Sequence, residues 1–210
     1  MSSEIEVVQL DHIPSRHVIH LALFQDVGNA EFLHKQLLSR NADFEYAFVD
    51  ASVIVSRLHL LSAVFKAVTS ASNDVLKTPN VHSEIVANLA ASNNVRNHAH
   101  SVIQMTDAPQ IAEAYRRYGV STATKNLVAV KVAENGSPST EQIAEHLAKN
   151  VEGTQVPATD EKLASTADMS KVFKYYKLNG LNWLDKIKDH SAKQKEVEML
   201  VVGAMALRGL

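Results

Sequence analysis

Any chemistry in this sequence must come from histidines, carboxylates, hydroxyls and basic side chains, because its 210 residues include no cysteine. Disulfides, thiolate zinc sites, iron–sulfur clusters and a cysteine nucleophile are excluded together. Ten histidines are present, and His17 with His20 and His98 with His100 are close enough in sequence to raise the question of a metal. Neither pair belongs to an HExxH helix or another zinc-type spacing, so they read as solvated or core histidines and no metal ligand is assigned. With seven glycines in all, the chain has neither a P-loop nor a GxGxxG turn, and no GxSxG elbow marks a serine nucleophile. The neighbouring carboxylates Asp160 and Glu161, or Glu196 and Glu198, read as wet helix faces, since acid–base work needs one member of a pair desolvated. These residues supply no catalytic group and call for no cofactor.

A binding site is better represented. Asn93 and Asn94 can each donate and accept hydrogen bonds, and Arg116 and Arg117 lie within a turn of a helix end, suited to phosphate oxygens. The plainer reading of the same residues is a turn followed by a solvated basic face that complements the helix dipole. Glu84 stands out differently. It interrupts the apolar run 82–89, read here as a strand, where it either faces water by alternation or is buried with a partner that offsets its desolvation.

The elements that would position these residues follow from periodicity. Residues 110–120 form a helix with Ile111, Ala114, Tyr115 and Tyr118 in one stripe, and Gly119 is expected to close it in the left-handed conformation. Residues 18–24 read as a strand buried on both faces, 30–38 as a helix after the Gly28-Asn29 break, and 46–50 as a short strand. In 58–68, Leu58, Leu61, Val64, Phe65 and Val68 are spaced for an amphipathic helix, and 71–80 is a polar loop. Residues 127–133 form a strand, 134–138 carry turn chemistry, and Ser139 with Gln142 makes a capping box for a helix to about residue 149. A weak strand at 151–156 precedes a helical stretch opened by Thr159. Another helix carries Met169, Val172, Phe173 and Tyr176, and Asn179-Gly180 is expected to stop it. The chain closes on residues 196–207, where Val197, Leu200, Val201, Ala204 and Met205 line one face. Strands alternating with helices predict an α/β or α+β domain whose mixed sheet has four to five strands flanked by helices.

Apolar residues at 46% and charged residues at 21% are ordinary globular values, which argues against disorder over most of the length. A net charge of −2 excludes a uniformly basic nucleic-acid binder and leaves only a local patch for such a role. No run reaches the roughly 18 apolar residues that span a bilayer, and the first residues lack a secretory pattern. A soluble protein of the nucleus and cytoplasm, with no membrane partner, is the expectation.

The order of the run 82–89, the polar pause Ser92-Asn93-Asn94 and the helix Glu113-Ala114-Tyr115-Arg116-Arg117-Tyr118-Gly119-Val120 resembles the PRPK-binding (TPRKB) family, the small kinase-binding subunit of the KEOPS (EKC) complex. Members carry a Ser-Glu-Ile segment, an Asn loop and a helix of this pattern. Further matches in family order are Ala22-Leu23-Phe24, Tyr46 to Asp50, residues 58–68, Lys171 to Leu178, and the closing Ala206-Leu207-Arg208-Gly209-Leu210. The resemblance implies one domain over 1–210, with an insert at about 95–108 and a connector at about 179–195 that are both longer than usual. The insert is expected to be a surface loop, with Val102 to Met105 as a core element the competing reading.

The resemblance further implies a non-catalytic subunit with three kinds of partner: a PRPK-type kinase subunit, other KEOPS subunits through it, and the 3′ CCA end of tRNA. That complex installs threonylcarbamoyl on adenosine in tRNAs decoding ANN codons. Asn93, Asn94, Arg116 and Arg117 would then hold RNA, and Leu200, Val201, Ala204 and Met205 would dock the kinase. The alternatives are a small-molecule enzyme of α/β type, which needs an enclosed apolar pocket with perturbed titratable groups, or a protein-only adaptor without RNA binding.

Overall fold

The computed structural model describes residues 5–91 and 108–207. Asn93, Asn94 and insert residues 95–107 lie outside the described residues. One five-stranded sheet forms the centre, built around β2 (His17–Gln25). Along one side of β2 runs β4 (Leu127–Glu134), which in turn pairs β3 (Ala47–Asp50). Along the other side lie, end to end, β1 (Glu6–Val8) against Ile19 to Leu21 and β5 (Thr154–Val156) against Leu23 to Gln25. Every pairing is antiparallel. This is the expected α+β architecture, with the five-stranded sheet wholly antiparallel rather than mixed.

Helices cover both faces, which is why β2 reads as a continuous apolar run rather than an alternating one. Ile19, Leu21 and Leu23 point into the larger core, while Ala22 and Phe24 point into the smaller. The smaller core is closed by α1 (Ala30–Leu38) and α5 (Thr140–Asn150), through Leu33, Ile143 and Leu147. The larger is closed by α2 (Arg57–Ser72), α3 (Val81–Asn88), α4 (Ala108–Tyr118), α7 (Met169–Tyr175) and α9 (His190–Ala206), with α6 (Asp160–Thr166) and α8 (Asn182–Asp185) at its margin. The odd–even alternation also sends His17 and His20 to opposite faces of β2, so they do not form a ligand pair. Among the described residues no three His, Asp or Glu side chains gather as a metal cage, and no helix is long and apolar enough to cross a membrane.

Three local expectations need correction. The run 82–89 is the helix α3, capped by the Asn80 side chain accepting from Ser83 N at 2.8 Å. It is buried nearly all round, through His82, Glu84, Ile85, Val86, Ala87 and Asn88, so it shows no amphipathic period and is indistinguishable by pattern from a buried strand. Gly119 is required for a reason other than left-handed geometry: a Cβ there would sit 2.7 Å from the Tyr115 carbonyl oxygen, where the chain turns to pair Val120 N with Phe48 O. Helix α7 ends at Tyr175, well before Asn179-Gly180, and it is Lys177, two residues on, whose positive φ of 57° lets Leu178 N reach back to Phe173 O.

Most other boundaries follow the sequence closely, the start of α9 and the strand β1 excepted. The Ser139–Gln142 capping box forms in both directions. Strand β1, which sequence pattern did not reveal, is held by a bidentate ion pair from Arg57 at the start of α2 to Glu6. Helix α9 begins at His190, where Asp189 caps it by accepting from Ala192 N, so much of the expected connector is helical.

Candidate functional site

Two surfaces on the α2–α3–α4–α7–α9 side have the makings of binding sites. The first lies between α2 and α9. Val197, Val201 and Met205 turn inward and are buried, and Leu200 and Ala204 are half-buried against the same core. Val201 and Met205 are thus committed to this molecule's own packing. Beside them runs an apolar groove of about 600 Å3 lined by Leu10, Leu58, Leu61, Phe65, Val202 and Met205. Leu58 is 54% exposed and Phe65 39% exposed, large for apolar side chains pointing into one groove. Sequence reading placed both in the stripe of α2 without assigning them a partner. Their signal was excess: residues 58, 60, 61, 64, 65, 67 and 68 are all apolar, a wider face than one core contact requires.

The second surface is the corner of α4 and α7. Arg116 and Arg117 both pair with the carboxylate of Glu113, one turn back on α4. Arg116 remains three-quarters exposed. The Arg117 guanidinium lies over the Tyr175 ring, 5.4 Å from its centroid, and Tyr175 meets Tyr118 edge-on at 5.8 Å. Tyr176 anchors α7 from beneath. His59 Nδ1 accepts from Val55 N, so its Nε2–H donates to the Tyr176 oxygen at 2.8 Å, and the hydroxyl donates to Leu89 O at 2.6 Å. Ala90 and Ala91, the last residues described before Asn93 and Asn94, share a shallow depression with Glu113, Arg117, Tyr118 and Tyr175.

A pocket of about 440 Å3 opens near the start of α3, among Arg40, Glu45, Tyr46, Asn80, His82 and Tyr115. Its perturbed groups are pushed away from neutrality. Burial lowers His82 to about 3 and raises Tyr46 to about 12, and each has a structural bond: His82 Nε2 accepts from Val132 N, and the Tyr46 hydroxyl meets His146 Nδ1. Neither is poised near pH 7 as a general acid or base should be. Glu84, the other carboxylate singled out by sequence, is buried and its Oε2 accepts from Lys77 N, Thr78 N and Thr78 Oγ1 at 3.1, 2.9 and 2.8 Å. It fastens the turn before α3 and is occupied by that task.

The single antiparallel sheet, covered on both faces, thus carries an uncovered apolar groove beside α2 and α9 and a basic aromatic corner at α4 and α7. The family described as "Kinase binding protein CGI-121" matches residues 24–209. The chain is 55% identical to the EKC/KEOPS complex subunit CGI121 of Gibberella zeae, over 98% of this chain and 99% of that protein. It is 42% identical to the subunit of that name from Neurospora crassa, over 98% and 99%, and 37% identical to that from Yarrowia lipolytica, over 91% and 94%. This chain therefore belongs to the CGI-121 kinase-binding protein family.

Proposed function

We propose that this protein is a non-catalytic subunit of an EKC/KEOPS-type complex. It docks a PRPK-type kinase subunit in the α2–α9 groove, reaches the other subunits through that kinase, and holds the 3′ CCA end of tRNA at the α4 corner. In this way it supports threonylcarbamoyladenosine modification of ANN-decoding tRNAs, in the nucleus and cytoplasm. The observation that carries the kinase part is the exposure of Leu58 and Phe65 in a groove whose floor is already packed. Large apolar side chains in a rimmed groove are what interface anchors look like.

The test is the affinity of the purified chain for its kinase subunit. Leu58→Glu with Phe65→Glu places charge in the groove without touching the core and should weaken docking at least tenfold. Unchanged affinity with a folded protein would move the docking surface elsewhere. For the RNA part, intact tRNA should bind more tightly than tRNA trimmed of its CCA, and Arg116→Glu with Arg117→Glu should abolish binding while kinase docking survives. Equal affinity for intact and trimmed tRNA would remove the 3′-end assignment, and loss of kinase docking in the arginine variant would assign α4 to the protein interface.

A further inference from the structure

The arginine pair is electrostatically weaker than its sequence implies. Glu113 bridges both side chains, so the triad presents one net positive charge, little for holding a polyanion. Helix α7 supplies what α4 lacks. Lys174 and Lys177 stand one residue before and two residues after Tyr175, both exposed, and neither has a side-chain partner among the described residues. Recruited beside Tyr175, they would raise the net positive charge available at the corner from one to three.

Tyr175 adds geometry to this charge. Its ring backs the Arg117 guanidinium while Glu113 grips the same group at Nε, so Arg117 is held from two directions. A guanidinium backed by a ring on one side can offer its other side to an unpaired base, and unpaired bases with flanking phosphates are what a single-stranded RNA end offers. The depression at this corner is only about 10 Å3, too small to swallow a base, so contact must be by stacking on the surface. Tyr175 is itself held by its edge contact with Tyr118, and α7 is tied to the end of α3 by the Tyr176 bond to Leu89 O.

We infer that α7 forms the second wall of the RNA-binding surface: Tyr175 is a positioning residue that presents Arg117 as a stacking platform, and Lys174 and Lys177 contact the phosphates beside it. This rests on the RNA part of the proposed function. Lys174→Glu with Lys177→Glu should weaken binding of intact tRNA at least tenfold and lower the log–log salt slope by about 1.4, at about 0.7 per single-strand phosphate. Tyr175→Ala should weaken binding, and Tyr175→Phe, which keeps the ring under Arg117, should restore it. Melting temperature and kinase docking, measured alongside, should be unchanged in the lysine variant and in Tyr175→Phe.

The outcomes separate the two readings. If the unaltered protein fails to bind tRNA, the RNA reading and this inference both fall. If the arginine variant loses binding while the lysine variant keeps full affinity and salt slope, only the role of α7 is overturned. Equal binding by Tyr175→Ala and the unaltered protein overturns the positioning role.

Discussion

At the scale of single residues, buried polar groups set the stability of the fold and its response to pH. Glu84 satisfies three donors of the turn at Lys77 and Thr78, and truncating it leaves the buried Thr78 N without its acceptor. Glu84→Ala should cost about 2–4 kcal/mol in urea unfolding, and Glu84→Gln, which keeps one oxygen acceptor, about 1 kcal/mol. His59 and His82 act through protonation. Burial lowers both to about 3 from 6.5, so the unfolded chain takes up their protons first as pH falls. Their contribution is complete above about pH 6.5 and drains away between 6.5 and 3, each losing about 2 kcal/mol by pH 5. Two such groups remove a large part of a typical 5–15 kcal/mol. Urea midpoints should drop steeply from pH 7 to pH 5, and in His59→Gln that drop should shrink by about 2 kcal/mol even though the variant is less stable at pH 7.

At the scale of elements, the sequence was readable wherever an element had a wet side. Helices α1, α2 and α7 announced themselves by apolar spacing, and the Ser139 box marked the start of α5. Helix α3 did not, because nearly every one of its residues is buried, and burial on all sides erases the period that separates helix from strand. Strand β1 was invisible for the opposite reason: three residues with one alternation carry no pattern, and what fixes them is Glu6 meeting Arg57 from a distant helix. The docking face illustrates a subtler limit. Periodicity located the stripe of α9, but only packing shows that Val201 and Met205 face inward whereas Leu58 and Phe65 of α2 face out. Met205→Glu should therefore lower the melting temperature through a buried unpaired charge, whereas Leu58→Glu should leave it within a few degrees and act on kinase affinity alone. Matched effects on stability from the two changes would mean the groove is part of the core.

At the scale of the whole molecule, the two binding surfaces differ in the force they use, and this gives a way to tell them apart without mutation. The groove is lined mainly by apolar side chains, so docking there draws on area removed from water and is nearly blind to salt. The α4–α7 corner works with about three net positive charges on a chain whose overall charge is −2, so the distant field opposes RNA and only the local cluster attracts it. Arg116 and Arg117 were legible in the sequence as a basic pair. Their shared carboxylate and the aromatic support from α7 were not, because both depend on which helices the fold brings together. Three neutralised single-strand phosphates give a log–log slope of about 2, so raising salt from about 50 to about 200 mM should weaken tRNA binding about twentyfold. Over the same range kinase docking should change less than about twofold. A kinase affinity that falls as steeply as that for tRNA would place charged contacts in the groove interface, and a tRNA affinity indifferent to salt would leave the basic corner without a role in holding RNA.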